Sequence, residues 1–480
     1  MNKTKTAMKT IITEEHSSQL HVWHQLGWKN VTLIYFDAHL DFQHISDSRI
    51  EKLQQCHTTA EIAQLEKPHH MIPDKGYSYS IEDFLFAAHR LGILEHVIWV
   101  MPTSNDQPQN PMNSIRMLQN RDGFGLKDFT SFDIVGNTVT ATPLGLKLTI
   151  CGYQDLQNIK LPQNTFIDID IDYFIALPQD RPWIDPKVIF DYLKSLAIES
   201  DIVTFTRSVS SGYMPLRYRF IADYLAALWR EDILEIEHFS RLYALDQQAQ
   251  NNEVEAAKAG CFEELEHFPK CAATYYLLSL CETEPEKAVE YELLAGEFCH
   301  SYCSNLLSST NAILSRNLKY DKTTLNKLEE QLIKTQIDIK EKQLTHYTLG
   351  LLYSTLGDKS QSLKHYQFCQ DIQPGDYPQL SLAIGALFCK SKDYDSAVSF
   401  LNLALNDEST KANAHTTLGK IYLGTGNYQL AHEHLILATQ MLPSSKKAAK
   451  LLADLYKQTG DTTQYQLQLN KYHRMKLLIP

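Results

Sequence analysis

Val31-Thr32-Leu33-Ile34-Tyr35-Phe36-Asp37-Ala38-His39-Leu40-Asp41 decides how the first half of this chain is read. Six largely apolar residues predict a buried strand, and the run closes on two carboxylates and an imidazole within five positions. Such groups are costly to desolvate together unless something cationic neutralises them. A bound metal would do so.

A second stretch repeats the theme. Thr165-Phe166-Ile167 leads into Asp168-Ile169-Asp170-Ile171-Asp172, and alternation of period two predicts three carboxylates on one strand face with Ile167, Ile169 and Ile171 on the other. Upstream, Glu14-Glu15-His16-Ser17 opens a helical pattern through Leu20, Trp23, His24 and Leu26 that stops at Gly27. His16 is therefore expected at a helix start, just before the first acidic strand end. Loops at one end of a parallel sheet would bring the three elements together. Oxygen and imidazole donors in this number suit a pair of Mn, Fe or Zn ions, and the chemistry expected is metal-assisted hydrolysis.

The surrounding pattern is α/β. Short apolar runs at Val31–Phe36, Val97–Met101, Leu146–Cys151, Thr165–Ile171 and Ile202–Phe205 alternate with helical segments over residues 10–235, which predicts a mainly parallel sheet. Beyond Glu237 the strand signal ends. From Thr345 a period of 34 to 35 residues emerges, with Leu349-Gly350, Ile384-Gly385, Leu418-Gly419 and Leu452-Ala453 in register, followed by Tyr353, Phe388, Tyr422 and Tyr456. Tyr394 and Ala397 are answered by Tyr428 and Ala431, and Pro374 by Pro443. Small residues where paired helices approach, with an aromatic filling the space between them, predict an all-α tetratricopeptide (TPR) solenoid over 345–476. Residues 236–344 read as a helical linker. Ala273–Leu277 and Glu286–Val289 form a degenerate repeat within it, and Leu314–Leu344 is a longer amphipathic helix pair.

The residues of the first half, in this order, resemble the arginase/ureohydrolase superfamily of binuclear manganese enzymes. They are most similar to its arginase-like group catalogued as UPF0489, through Trp23-His24, Ile81-Glu82-Asp83-Phe84, Val97–Pro102 and Asp170–Phe174. The likeness covers roughly residues 12 to 230 and implies an arginase-like three-layer domain. It implies two divalent metal ions, manganese by family, with His16, Asp37, Asp41 and Asp170 on one and Asp37, His39, Asp170 and Asp172 on the other. Asp37, His39 and Asp170 would be catalytic, and Asp168 a support for a ligand or an alternative ligand. Members include peptide arginases, so the implied reaction converts peptidyl arginine to ornithine and urea. The place of the guanidinium-binding glutamate of free-arginine arginases falls on Thr204. Arg207, Ser208 and Tyr213, in the loop after the last strand, are expected to line the substrate pocket. His57, His69 and His70 are candidate proton shuttles by proximity to Asp41.

Composition bounds the rest. A length of 480 residues predicts two or three domains. The net charge of −12 argues against a nucleic-acid partner held by a basic face and favours basic peptides. Nine scattered cysteines form no disulfide framework, Cys299 and Cys303 have no matching pair, and Cys261, Cys271 and Cys281 read as packing thiols. Gly123-Phe124-Gly125 lacks the third glycine of a dinucleotide loop. With no apolar span of membrane length, a soluble cytoplasmic protein is expected. The functions this leaves are a peptide arginase whose repeats recruit polypeptide on their concave face, another C–N or amide hydrolase, or a TPR scaffold without catalysis.

Overall fold

A computed structural model describes residues 9–67, 76–103, 131–176, 179–196, 198, 200–302, 305–315, 318–334, 337, 339–372, 378–443 and 445–477. The run at 31–36 is a strand with all six residues buried. Ile34 and Phe36 pack into one apolar core, while Leu33 and Tyr35 pack into another on the opposite face. A strand covered on both sides has no solvated face to place polar residues on, which is why its sequence does not alternate.

Eight strands form the main sheet: β1 (Lys9–Thr13), β2 (Val31–Phe36), β3 (Leu94–Val100), β4 (Asp133–Val135), β5 (Thr138–Ala141), β6 (Lys147–Cys151), β7 (Thr165–Asp170) and β8 (Ile202–Thr206). Their order is β1-β8-β7-β2-β3-β6-β5-β4. The pairings from β1 through β6 are parallel, and the β4–β5 hairpin extends one edge antiparallel. Helices cover both faces. Gln19–Gln25 and Phe84–Arg90 pack on one, and Pro186–Ser195 and Ile221–Arg230 on the other.

From Ile233 onward the described chain is helical. It runs as antiparallel pairs: Ile233–Gln250 with Val254–His267, Ala272–Cys281 with Pro285–Phe298, and Asn305–Ser315 with Lys322–Lys334. Ile339–Thr355 with Lys359–Ile372, Pro378–Lys390 with Tyr394–Ala404, Glu408–Gly424 with Tyr428–Met441, and Lys446–Thr459 with Thr462–Leu477 follow. The repeat glycines sit where paired helices touch. A Cβ on Gly350 would lie 2.3 Å from the ring of Tyr366, and on Gly385 or Gly419 would lie 2.8 or 2.6 Å from Cγ of Leu401 or Leu435. The segment expected to separate the two parts is itself built of such pairs. Leu242, Leu245, Ala257 and Cys261 join the core on one face of the sheet, so the helical region begins in contact with it.

Two expectations need correction. The stretch Leu314–Leu344 is not one helix pair: a helix ends at Ser315, and Asp321 accepts from the Thr324 N–H at 2.8 Å to start the next. Nor does Asp172 lie on the strand. β7 stops at Asp170, whose Oδ1 accepts from the Asp172 N–H at 3.0 Å and turns residues 171–174 into a 3-10 helix. Among the described residues no helix is long and apolar enough to cross a membrane.

Candidate metal centre

Phe36 on β2 lies opposite Ile169 on β7, so the next residues, Asp37 and Asp170, leave the sheet side by side at its carboxyl end. Chain order reverses here. From β2 the sheet is built outward through β3 and β6, and it returns through β7 and β8 on the other side, which makes this the switch point at which open α/β sheets bind ligands. β1 approaches from beyond β8, and Glu14 and Glu15 carry the chain into the 3-10 turn His16–Ser18.

The His16 ring is fully buried and stacks on Tyr35, with centroids 5.0 Å apart and planes at 9°. Its Nδ1 lies 3.0 Å from Asp37 Oδ2, 3.0 Å from Asp170 Oδ2 and 3.3 Å from Asp41 Oδ2. Its Nε2 lies 2.7 Å from Asp168 Oδ2. A second group shares Asp37. His39 Nδ1 is 2.9 Å from Asp172 Oδ2 and 3.7 Å from Asp37 Oδ1. Within each set, His16 with Asp37 and Asp170, and Asp37 with His39 and Asp172, the donor atoms converge closely enough to hold one ion.

The electrostatics of this arrangement call for a cation. Asp37, Asp41, Asp168, Asp170 and Asp172 face two histidines, so with every carboxylate ionised three negative charges remain even when both rings are protonated. Burial, then Asp172 and Asp41, push the Asp37 carboxyl well above the usual carboxylate range. Burial and then Asp172 push Asp170 up to about 6. Burial opposes charge on His16, but Asp168 and Asp170 outweigh it and raise the ring well above its ordinary value. His39, 46% exposed at its side chain, is carried up to about 10 by Asp172 and then Asp37 against desolvation. Asp172 is held down by His39, although burial alone would raise it.

One proton on Nδ1 cannot serve three carboxylate oxygens. Asp37 Oδ2 is buried without a hydrogen bond even though it lies 3.0 Å from that nitrogen. With the Nε2 proton given to Asp168, Nδ1 turns a lone pair toward anions, an arrangement that a divalent ion stabilises. Carboxylate and imidazole donors without thiolate fit Mn, Fe or Zn.

The structure places the remaining expected residues differently. Thr204 is buried on β8 and donates to Asp168 Oδ1, so it braces the support of His16 and does not face a pocket. Ser208, with a φ of 49°, donates to Asp170 Oδ2 at 2.5 Å. Arg207 is drawn off to Asp223 at 2.7 Å. Of the four residues expected at a substrate site, Tyr213 is the one beside the exposed His39, its ring centroid 4.8 Å from that of His39. His57 is exposed on the surface, and His69 and His70 lie outside the described residues, as do Gly123, Phe124, Gly125, Cys303 and Pro374.

Sequence reasoning passed over Tyr35, whose hydroxyl lies 3.2 Å from His16 Nδ1 and donates to Asp41 at 3.1 Å. It stands two positions before Asp37, and the period of a strand was the available signal. Glu82 was also passed over as a site residue. After burial, its charge is the first to raise the Tyr213 hydroxyl, ahead of Asp41, Asp172 and Asp37.

The loop carrying Ser208 and Tyr213 is braced from the helical region. A Cβ on Gly212, at φ +85°, would lie 2.5 Å from the Ala312 nitrogen and 2.7 Å from the Asn311 carbonyl carbon. Asn311 Nδ2 donates to the Ser210 carbonyl at 3.0 Å, and Thr348 donates to Asn311 Oδ1 at 3.2 Å. The helical region touches the sheet domain again where Ser46 donates to Glu408.

A tetratricopeptide repeat family model matches residues 345–376, the Ile339–Thr355 and Lys359–Ile372 pair, and the C-terminal half therefore contains a repeat of this kind. No curated protein matches the chain. Among solved structures the chain is similar to pilF of Pseudomonas aeruginosa at 16% identity and a TM-score of 0.28, covering 45% of this chain and 99% of that one. It is also similar to the APC/C hetero-tetramer Cut9-Hcn1 at 18% identity and a TM-score of 0.28, covering 50% of this chain and 42% of that one.

Proposed function

We propose that the sheet domain is an arginase-like, binuclear metal-dependent hydrolase of C–N bonds that converts arginine side chains within a polypeptide to ornithine and urea. The observation that carries this is the pair of ligand sets sharing Asp37 at the carboxyl ends of β2 and β7. His16, Asp37, Asp41 and Asp170 would hold one ion and Asp37, His39, Asp170 and Asp172 the other. A pair of divalent ions, manganese by the family likeness, would supply Lewis acidity and lower the pKa of water.

The chain's own residues do the positioning. Asp168, fixed by Thr204, orients His16 through Nε2, and Ser208 orients Asp170. Tyr213 stands beside His39, and Glu82, whose charge acts on Tyr213, is the carboxylate that would receive the guanidinium. The net charge of −12 draws cationic peptides, and the repeats raise their local concentration by holding a protein segment while its arginine enters.

The alternative is another C–N or amide hydrolase. The observation favouring it is Thr204, which stands where free-arginine enzymes carry a guanidinium-binding glutamate and is hidden against Asp168. The manganese-loaded protein incubated with arginine-containing peptides decides between them. Urea release with conversion of arginine to ornithine in the peptide mass spectrum is expected. Peptide hydrolysis without urea would favour the alternative, and no turnover of any peptide would overturn the hydrolase.

A further inference from the structure

In the first helix pairs after the sheet, a thiol, an imidazole and a carboxylate outside the acidic cluster stand in line. His238 Nε2 lies 3.2 Å from Cys271 Sγ, and His238 Nδ1 lies 2.6 Å from Glu264 Oε2. Three elements supply them: His238 from helix Ile233–Gln250, Glu264 from helix Val254–His267, and Cys271 from the position just before helix Ala272–Cys281. Two aligned helix pairs therefore build the constellation, which no sequence spacing displays.

Each partner is held. The His238 ring is 4% exposed and stacks on Phe268 with centroids 3.9 Å apart, which fixes its plane. Glu264 is also bound by Arg241 Nε at 2.9 Å, so the carboxylate cannot swing away. Cys271 sits at the amino end of a ten-residue helix, where unsatisfied N–H groups favour negative charge. The hydroxyl of Thr274, three residues on in the same helix, is fully buried and makes no hydrogen bond among the described residues. Cys271 itself is only partly buried, unlike Cys261 and Cys281.

We propose that Cys271 is a nucleophilic thiolate, paired with the His238 imidazolium and steadied by Glu264, and that it is a site of covalent modification by small, soft carbon electrophiles. The charged and titratable groups around it are His238 and Arg241 on one helix, Glu264 and Cys261 on the next, and Tyr302 from the 3-10 turn His300–Tyr302. Burial would raise the thiol, but His238 and then Thr274 bring it below its ordinary value. Burial would lower His238, but Cys271 and Glu264 raise it. Both directions are those of a thiolate–imidazolium pair. In alkylation the sulfur lone pair forms the S–C bond, the carbon–halogen bond breaks, halide leaves, and the proton stays on His238.

The test uses the full chain and iodoacetamide, with each cysteine followed by peptide mass spectrometry from about pH 5 to about pH 9. A free thiol titrates at about 8.5. Cys271 is expected to react at about pH 6 at least ~10-fold faster than the partly buried Cys299, since a thiolate that is present outweighs its lower intrinsic nucleophilicity. His238→Gln is expected to return the Cys271 profile to that of Cys299 while leaving Cys299 unchanged. A wild-type Cys271 profile that coincides with those of Cys56 and Cys299 would overturn the proposal, as would a fast Cys271 that ignores His238→Gln. Should that variant fail to fold, the wild-type profile alone decides.

Discussion

Nε2 of His16 lies 2.7 Å from Oδ2 of Asp168, which turns the other ring nitrogen toward Asp37 and Asp170. Asp168 fixes both tautomer and orientation, while Thr204 fixes Asp168. Asp168→Ala is therefore expected to weaken manganese binding about 10- to 100-fold with the ligands themselves intact. A chelator-competition titration measures this, and an unchanged affinity would show that the pairing does not serve a metal.

Gly212 ties the site loop to the helical region. Its φ is +85°, and the Ala312 nitrogen stands 2.5 Å from the place a Cβ would take, which leaves no room for a side chain. Backbone cannot swing aside as a flexible side chain would. Gly212→Ala is expected to cost on the order of 2–4 kcal/mol from overpacking plus the left-handed conformation. Equilibrium denaturation checks it; a midpoint within error of wild type would mean the two parts do not meet there.

A Glu82 that receives the guanidinium would serve substrate recognition and not metal binding. Glu82→Gln is expected to lower kcat/KM for arginine peptides about 10- to 100-fold, the loss of one charge-assisted contact, with bound manganese unchanged. A parallel loss of metal would place Glu82 in the centre, and unaltered kinetics would remove it from the substrate site.

The repeats carry an acid sensitivity of their own. His346 Nδ1 lies 2.9 Å from His365 Nδ1, and in the unit two repeats on, His415 Nδ1 lies 2.8 Å from His434 Nδ1. Burial, and then the facing histidine, hold His346 and His415 down to about 4. The unfolded chain takes up these protons near 6.5, so between the two values it binds more protons than the folded one. Stability contributed by these groups is present above about pH 6.5 and is lost as the pH falls toward 4. The intervening repeat has Ser381 and Phe400 at the corresponding positions, with Phe400 stacked on Phe388 at 5.8 Å. Replacing the first pair by His346→Ser and His365→Phe should flatten the fall in melting temperature between about pH 6.5 and 4. A slope identical to wild type would contradict this.

How much of this could be read from the sequence depends on whether the signal was local. β2, β3, β6, β7 and β8 announce themselves as apolar runs, and Gly350, Gly385 and Gly419 mark the helix contacts by recurrence. β1, Lys-Thr-Ile-Ile-Thr at a sheet edge, has no fully buried residue and so no apolar run. The hairpin strand Asp133–Val135 is exposed throughout and equally silent. Asp172 continues the alternation of Asp168 and Asp170 in sequence, yet the chain turns because the Asp170 carboxylate captures its N–H. The roles of Thr204 and Ser208 depend on strand register with Asp168 and Asp170, partners 36 and 38 residues away. The contact of Gly212 with Ala312 depends on how two distant elements pack.

On the proposed function, two metal ions lie between β2 and β7 and share Asp37 and Asp170. Elemental analysis of the manganese-reconstituted, desalted protein, wild type beside Asp37→Asn/Asp170→Asn, tests it most directly. About two manganese ions per chain, lost in the double variant while its circular dichroism is retained, is the result expected. A wild-type protein that retains no metal after reconstitution would contradict it.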